Sequence, residues 1–149
     1  MKKYRKPNTI DFYLRDIGRI LRYGIDERLK DYEITNPQGK LLGIIYGANK
    51  QGIEINRRYL EKKTGISGPS VTNLLGNLEK KGYIKRLPSD ADGRALNISV
   101  TSEGEKVINE IHGIFQEMEA SLVSDMSNEE KKTFKNLLKK AHTSIIQKF

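Results

Sequence analysis

His112 and His142 are the two histidines of the chain, and it contains no cysteine. Neither His-Glu-x-x-His nor Cys-x-x-Cys occurs, so the common spacings of metal ligands are missing. Gly47 to Gly52 has the first half of a phosphate-loop spacing, but Ile53-Glu54 follows where Lys and Ser/Thr are needed. No convergent acid–base or nucleophile cluster emerges. The expectation is no enzyme, no metal and no cofactor.

The side chains suited to recognition lie elsewhere. Suppose residues 70–81 form a helix with Val71, Leu74, Leu75 and Leu78 inward. Asn73, Gly76, Asn77 and Lys80 then point outward, flanked by Ser70 and Thr72. Asn makes paired bonds to adenine, and Ser or Thr bonds to most bases. Gly76 carries no side chain, so the helix can sit close to a groove floor. Arg94 follows Asp90, Asp92 and Gly93 at an expected loop tip. A guanidinium on a narrow projection suits the negative potential of a minor groove, and the Asp92 carboxylate can brace it. The competing readings are an ordinary amphipathic surface helix and a solvated turn.

The elements that would position these groups follow from periodicity and turn residues. Ile10, Leu14, Ile17, Leu21, Ile25 and Leu29 mark a long amphipathic helix over 9–33, and Asn36-Pro37 breaks it. Leu41, Leu42, Ile44 and Ile45 mark a short buried helix ending near Gly47. Residues 49–52 read as a polar turn and 53–55 as a short strand. Asn56 is an N-cap for a helix from Arg57 to Thr64, and Gly65 supplies the left-handed stop. Ser67 is a second N-cap, with Pro69 tolerated in the first turn. Residues 83–87 and the alternating Leu96, Ile98 and Val100 form a β-hairpin. Thr101 or Ser102 opens a long helix, and Ser127 with Glu130 is a capping box for the last one. The fold class is mostly α with a small β-hairpin wing: a winged helix-turn-helix with a helical dimerisation region.

Of 149 residues, 36% are apolar, which suits one compact domain or an elongated one completed by dimerising. Net charge is +8, with +9 over residues 1–100 and −1 over 101–149. The positive part favours a polyanionic partner. No stretch approaches the roughly 20 apolar residues of a membrane span. The basic start lacks the apolar core of a signal peptide. The chain is read as cytoplasmic, without a membrane partner and without a thiol switch.

The run Ile66-Ser67-Gly68-Pro69-Ser70-Val71-Thr72-Asn73-Leu74-Leu75, continued by Leu78-Glu79-Lys80-Lys81-Gly82-Tyr83-Ile84-Lys85-Arg86, resembles the recognition helix and first wing strand of the MarR family. Asp92-Gly93-Arg94 and Val100-Thr101-Ser102-Glu103-Gly104 are similar to its wing and the exit from it. The match covers about residues 53–104. Many members carry two arginines in the wing, where this chain has Gly93-Arg94, and the position of Asn73 is often arginine.

The resemblance implies a triangular homodimer acting as a repressor, or less often an activator, on a near-palindromic double-stranded DNA site. Residues 1–35 and 102–149 would dimerise, and 36–101 would form the DNA-binding lobe. Ser67, Pro69, Ser70, Thr72, Asn73 and Asn77 would face bases; Arg57, Arg58, Lys80, Arg86, Asp92 and Arg94 would serve backbone and wing contacts. The family is commonly released by a small aromatic or anionic effector, in a cleft where dimerisation helices meet the DNA-binding lobe. Tyr13, Tyr46 and His112 are candidates to line it. The alternative function is a winged-helix scaffold that binds proteins and not DNA.

Overall fold

The computed structural model describes residues 8–87 and 97–149. The Thr9 hydroxyl accepts the Phe12 backbone N–H at 3.1 Å and opens α1 (Ile10–Leu29). A 3-10 turn over Lys30–Tyr32 follows, ending at Glu33 in the left-handed region (φ 53°). The regular helix is thus shorter than the apolar pattern predicts.

Asn36-Pro37 does not merely end that pattern. Thr35 and Gln38 form a capping box, and Pro37 sits in the first turn of α2 (Asn36–Gln51). This helix is twice the length expected and runs through Gly43 and Gly47 to Gly52, whose φ of 65° ends it. The expected polar turn at 49–52 is therefore the last turn of this helix and its Gly52 cap.

Asn56 caps α3 (Arg57–Thr64) by accepting the Tyr59 N–H at 2.8 Å, and Gly65 (φ 71°) ends it. α4 (Gly68–Lys80) begins after Ser67. β1 (Ile84–Arg86) and β2 (Ile98–Val100) pair antiparallel, with Ile84 opposite Val100 and Arg86 opposite Ile98. Thr101 Oγ1 accepts the Gly104 N–H at 3.1 Å at the start of α5 (Ser102–Leu122). The Ser127–Glu130 capping box opens α6 (Asn128–Ile146) as expected.

The expected strand at 53–55 does not form. Backbone groups of Ile98 and Val100 face away from β1, where a third strand would bond them. Asn49 takes both: its Nδ2 donates to the Ile98 carbonyl (2.9 Å) and its Oδ1 accepts the Val100 N–H (3.1 Å). A side chain of α2 thereby occupies the ladder positions. Ile55 still buries its side chain, as the pattern required.

Chain contacts divide the protein within α5 into Met1–Phe115 and Gln116–Phe149. The first unit holds the core. Leu41, Leu42 and Ile45 of α2 meet Leu60 of α3, Val71 and Leu78 of α4, and Ile84 of β1, all fully or almost fully buried. α2 is the hub, packed against α1, α3, α4 and β2. Gly39 lets Ile111 approach: a Cβ there would lie 3.3 Å from Ile111 Cδ1. In the second unit α6 buries no residue. No helix among the described residues is long and apolar enough to cross a membrane.

Candidate nucleic-acid interface

Glu61 near the end of α3 sets the entry to α4. A Cβ on Gly68 would lie 2.6 Å from Glu61 Oε1, so the carboxylate at the far end of this flexible side chain reaches the first residue of α4. The same carboxylate stands at the N-terminus of α4, whose own first turn has no acid, and complements the helix dipole. Ser67 makes no side-chain cap bond; its Oγ donates to Ser70 Oγ at 3.0 Å instead.

α4 then turns Val71, Leu75 and Leu78 into the core. The opposite face carries Ser67, Pro69, Ser70, Asn73 and Lys80 in the open, with Thr72 and Asn77 half-buried. Thr72 Oγ1 donates back to the Gly68 carbonyl at 3.1 Å, which leaves its lone pairs and methyl to the outside. Of the six residues assigned to base contacts, five lie on α4 and Ser67 is its N-cap, and all reach the exposed side. A Cβ at Gly76 would meet nothing within 4 Å, so that glycine leaves a shallow gap and not a packing contact.

Arg57 and Arg58 are exposed in the first turn of α3, which contains no acid. Cations at the positive end of a helix work against its dipole. The placement is unfavourable alone and becomes favourable beside an anion such as a phosphate. Arg86 at the end of β1 is held differently: its Nε donates to Glu79 Oε2 of α4 at 2.8 Å. This pair ties β1 to α4. Asp92 and Arg94 lie outside the described residues.

The end of α4 is also tied to the connector between α1 and α2. Lys81 Nζ donates to the Glu33 carbonyl, and the Tyr83 hydroxyl donates to the Tyr32 carbonyl at 3.5 Å. The Tyr32 hydroxyl donates to Glu110 Oε2 of α5 at 3.1 Å, and this bond raises the Tyr32 pKa above its ordinary value.

A cavity of about 420 Å³ opens between the end of α1, the first half of α2 and α5. Leu29, Ile108, Ile111 and Phe115 make it apolar; Gly39 and Gly43 widen it; Asn36, Lys40 and His112 supply polar groups. His112 is thus brought to it. Tyr13 and Tyr46 are placed elsewhere. The exposed Tyr13 hydroxyl donates to Asn8 Oδ1 at 3.1 Å, and Tyr46 donates to Glu105 Oε1 at 3.0 Å. Sequence reasoning sought rings with a polar group and passed over Asn36 and Lys40. The Thr35–Gln38 capping box was the signal that would have put both on a helix facing the cavity.

A sequence profile of the MarR family matches residues 32–95. The chain is 36% identical to MepR, a transcription regulator of the Staphylococcus aureus multidrug efflux pump MepA. The match covers 92% of this chain and 98% of that one, with a TM-score of 0.78. MepR in complex with DNA matches at 36% identity, 93% and 99% coverage and a TM-score of 0.75. A Clostridium acetobutylicum protein ascribed to the MarR family of transcriptional regulators matches at 31% identity, 90% and 96% coverage and a TM-score of 0.70. The paired helices α3 and α4, the β1–β2 hairpin and near-complete coverage of these relatives agree: the chain belongs to the MarR family of winged helix-turn-helix transcription regulators.

Proposed function

We propose that this protein is a cytoplasmic, homodimeric repressor that binds a near-palindromic double-stranded DNA site through α4 and the hairpin, and that a small ligand releases it. The observation that carries the DNA reading is the exposed strip of α4, with base-bonding side chains and uncompensated arginines at the start of α3 beside it. One member of the family, MepR, has been crystallised with DNA. The reading assigns the chain no reaction, metal or cofactor.

Dimerisation through 1–35 and 102–149, with 36–101 as the DNA-binding lobe, is supported by apolar side chains left in the open. Ile10 is 82% exposed and Leu14 55% on α1; on α6 Leu137, Ile145 and Ile146 are each more than half exposed. A 19-residue helix that buries nothing has too little to hold it in water, and an apolar partner supplies what is missing. A second copy offers matching faces by symmetry.

The test is selection of bound fragments from the source genome with purified protein, followed by affinity measurement across salt. Enriched near-palindromic sites are expected. About six to ten phosphate contacts per dimer give a loss of roughly 10³ to 10⁵ in affinity between about 50 and 200 mM salt. No enrichment and a flat salt dependence would leave the protein-binding scaffold in its place.

A further inference from the structure

The connector between α1 and α2 turns without a glycine. The Glu33 N–H donates to the Lys30 carbonyl at 3.0 Å and the Ile34 N–H to the Leu29 carbonyl at 3.4 Å, a helix ending that usually places glycine at the left-handed position. Glu33 takes that position with φ 53°, and among the described residues no other side-chain-bearing residue has a positive φ. Such a conformation persists where its surroundings over-determine it. Ile34 is buried beside it, Lys81 Nζ donates to the Glu33 carbonyl, and Tyr32 is bonded on both sides. We propose that Tyr32 and Glu110 are positioning residues for DNA recognition: their bond fixes the end of α4 against α5, and with it the direction in which the base-bonding face of α4 points. This deepens the DNA reading above, rests on its dimer for the spacing of half-sites, and needs no ligand.

The links are few and direct. The Tyr32 hydroxyl donates to Glu110 Oε2 at 3.1 Å, and the Tyr32 carbonyl accepts the Tyr83 hydroxyl at 3.5 Å. The next carbonyl, of Glu33, accepts Lys81 Nζ. Lys81 is the C-cap of α4, and its N–H donates to the Asn77 carbonyl at 3.1 Å. The Tyr83 N–H donates to the Leu78 carbonyl at 3.0 Å. Two side chains thus hold the last turn of α4 to the connector, and a movement of Lys81 reaches Asn77, one of the base-facing residues, within a single turn. Elsewhere α5 is gripped near its start: Tyr46 of α2 donates to Glu105 at 3.0 Å, and the Thr101 N–H donates to the Tyr83 carbonyl at 3.0 Å. Glu110 lies about 8 Å further along the helix axis than Glu105. A second grip at that distance opposes rotation about the first.

Direction matters more here than attraction. Apolar contacts resist separation but have little angular preference, whereas a hydroxyl bonded to a carboxylate has both a short length and a preferred angle. In a two-fold dimer a rotation of one lobe is repeated in the other, so it changes the separation of the two α4 helices twice over. Half-sites are read at a separation of one helical turn, about 34–36 Å. Loss of the Tyr32–Glu110 bond therefore relaxes the choice of spacing before it unfolds the protein.

The experiment compares the full chain with Tyr32→Phe, Glu110→Ala and Glu110→Gln, the last of which keeps an acceptor oxygen for the tyrosine hydroxyl. Affinity is measured for the selected DNA site and for the same site with one base pair inserted or removed at its centre. Tyr32→Phe and Glu110→Ala should reduce the preference for the native spacing about three- to tenfold, and Glu110→Gln should keep it. The ratio cancels the uniform gain in affinity that comes from removing a negative charge. Amide exchange on the same proteins without DNA is the second measurement. The N–H groups of Lys81, Gly82 and Tyr83 should exchange about three- to tenfold faster in Tyr32→Phe and Glu110→Ala, while Leu60 and Gly65 of α3 and its cap keep wild-type rates. A bond that served stability alone would speed all of these amides together through global unfolding. Wild-type spacing preference in both bond-breaking variants, exchange that is unchanged or raised at all of these amides alike, or a Glu110→Gln protein as impaired as Glu110→Ala overturns the assignment. DNA binding with unchanged exchange rejects the tie alone; faster local exchange in a protein without DNA affinity rejects the DNA reading and leaves the tie between α4 and α5 standing.

Discussion

Gly104 is where α5 leaves the wing, and Gly104→Ala should destabilise the protein although alanine is the better helix former. A Cβ at this position would stand 2.8 Å from Val100 Cγ1 and 3.0 Å from the Tyr83 carbonyl carbon, and nearer still to that carbonyl oxygen. Non-bonded carbons rest at about 3.5–4.0 Å, so the start of α5 would have to withdraw by roughly 1 Å. The same oxygen accepts the Thr101 N–H at 3.0 Å, and Thr101 Oγ1 donates to the Gly82 carbonyl at 2.6 Å. Withdrawal therefore strains the backbone bonds that join both strands to α5. Overpacking costs about 1–3 kcal/mol and a weakened backbone bond about 1 more, against a propensity gain of about 1. The net loss is roughly 1–3 kcal/mol, or about 2–12 °C in melting temperature for a chain of this size. Thermal melts at matched protein concentration measure it, since association also shifts the midpoint. Gly47→Ala is the control: a Cβ there meets nothing within 4 Å, and the change should stabilise by up to about 1 kcal/mol. A Gly104→Ala protein that melts at or above the wild type would refute the close approach.

Asn49→Ala should cost about 1–2 kcal/mol in denaturant unfolding, because it removes two hydrogen bonds to β2; an unchanged midpoint would mean water replaces them fully. Glu79→Gln should leave stability within about 0.5 kcal/mol, as the Arg86 pair is solvent-exposed, while raising DNA affinity a few-fold by freeing the guanidinium and removing a negative charge. Binding curves at two salt concentrations check this, and weaker binding would show that Glu79 positions Arg86. The Tyr32 hydroxyl, bonded to Glu110, has a folded pKa above its unfolded value, so its contribution is complete below the ordinary tyrosine range and is lost as pH rises through the folded value. Tyr32→Phe should flatten the alkaline limb of a stability–pH profile, and an unaltered limb would exclude the bond.

Local chemistry was most legible where one side chain settles one backbone choice. Asn56, Gly65 and the Ser127–Glu130 box each occupy the positions read from their residue types. The face of α4 followed from Val71, Leu74, Leu75 and Leu78: three of these are buried and Leu74 is half-buried, which leaves the helix only one side to offer. Reasoning fell short where two signals met. Asn36-Pro37 reads as the stop of one helix, but that helix has already ended by Glu33, and the pair is instead the first turn of the next helix, opened by the capping box of Thr35 and Gln38. At 53–55 the alternation of apolar residues was real, and Ile55 is buried, but pairing depended on whether the neighbouring edge was vacant. That was decided by Asn49 on another element. The cavity is harder still, because Leu29, Lys40 and His112 meet only after three helices have packed.

Asn49 has a second consequence, for behaviour in a crowded solution. An uncovered strand edge is a template on which another chain can add a strand, and repeated addition leads to fibrous aggregates. On the outer side of β2 the carbonyl of Ile98 and the N–H of Val100 are already engaged by the Asn49 carboxamide. β2 therefore has no sticky margin at these two positions, and it owes this to a single amide two residues from the end of α2.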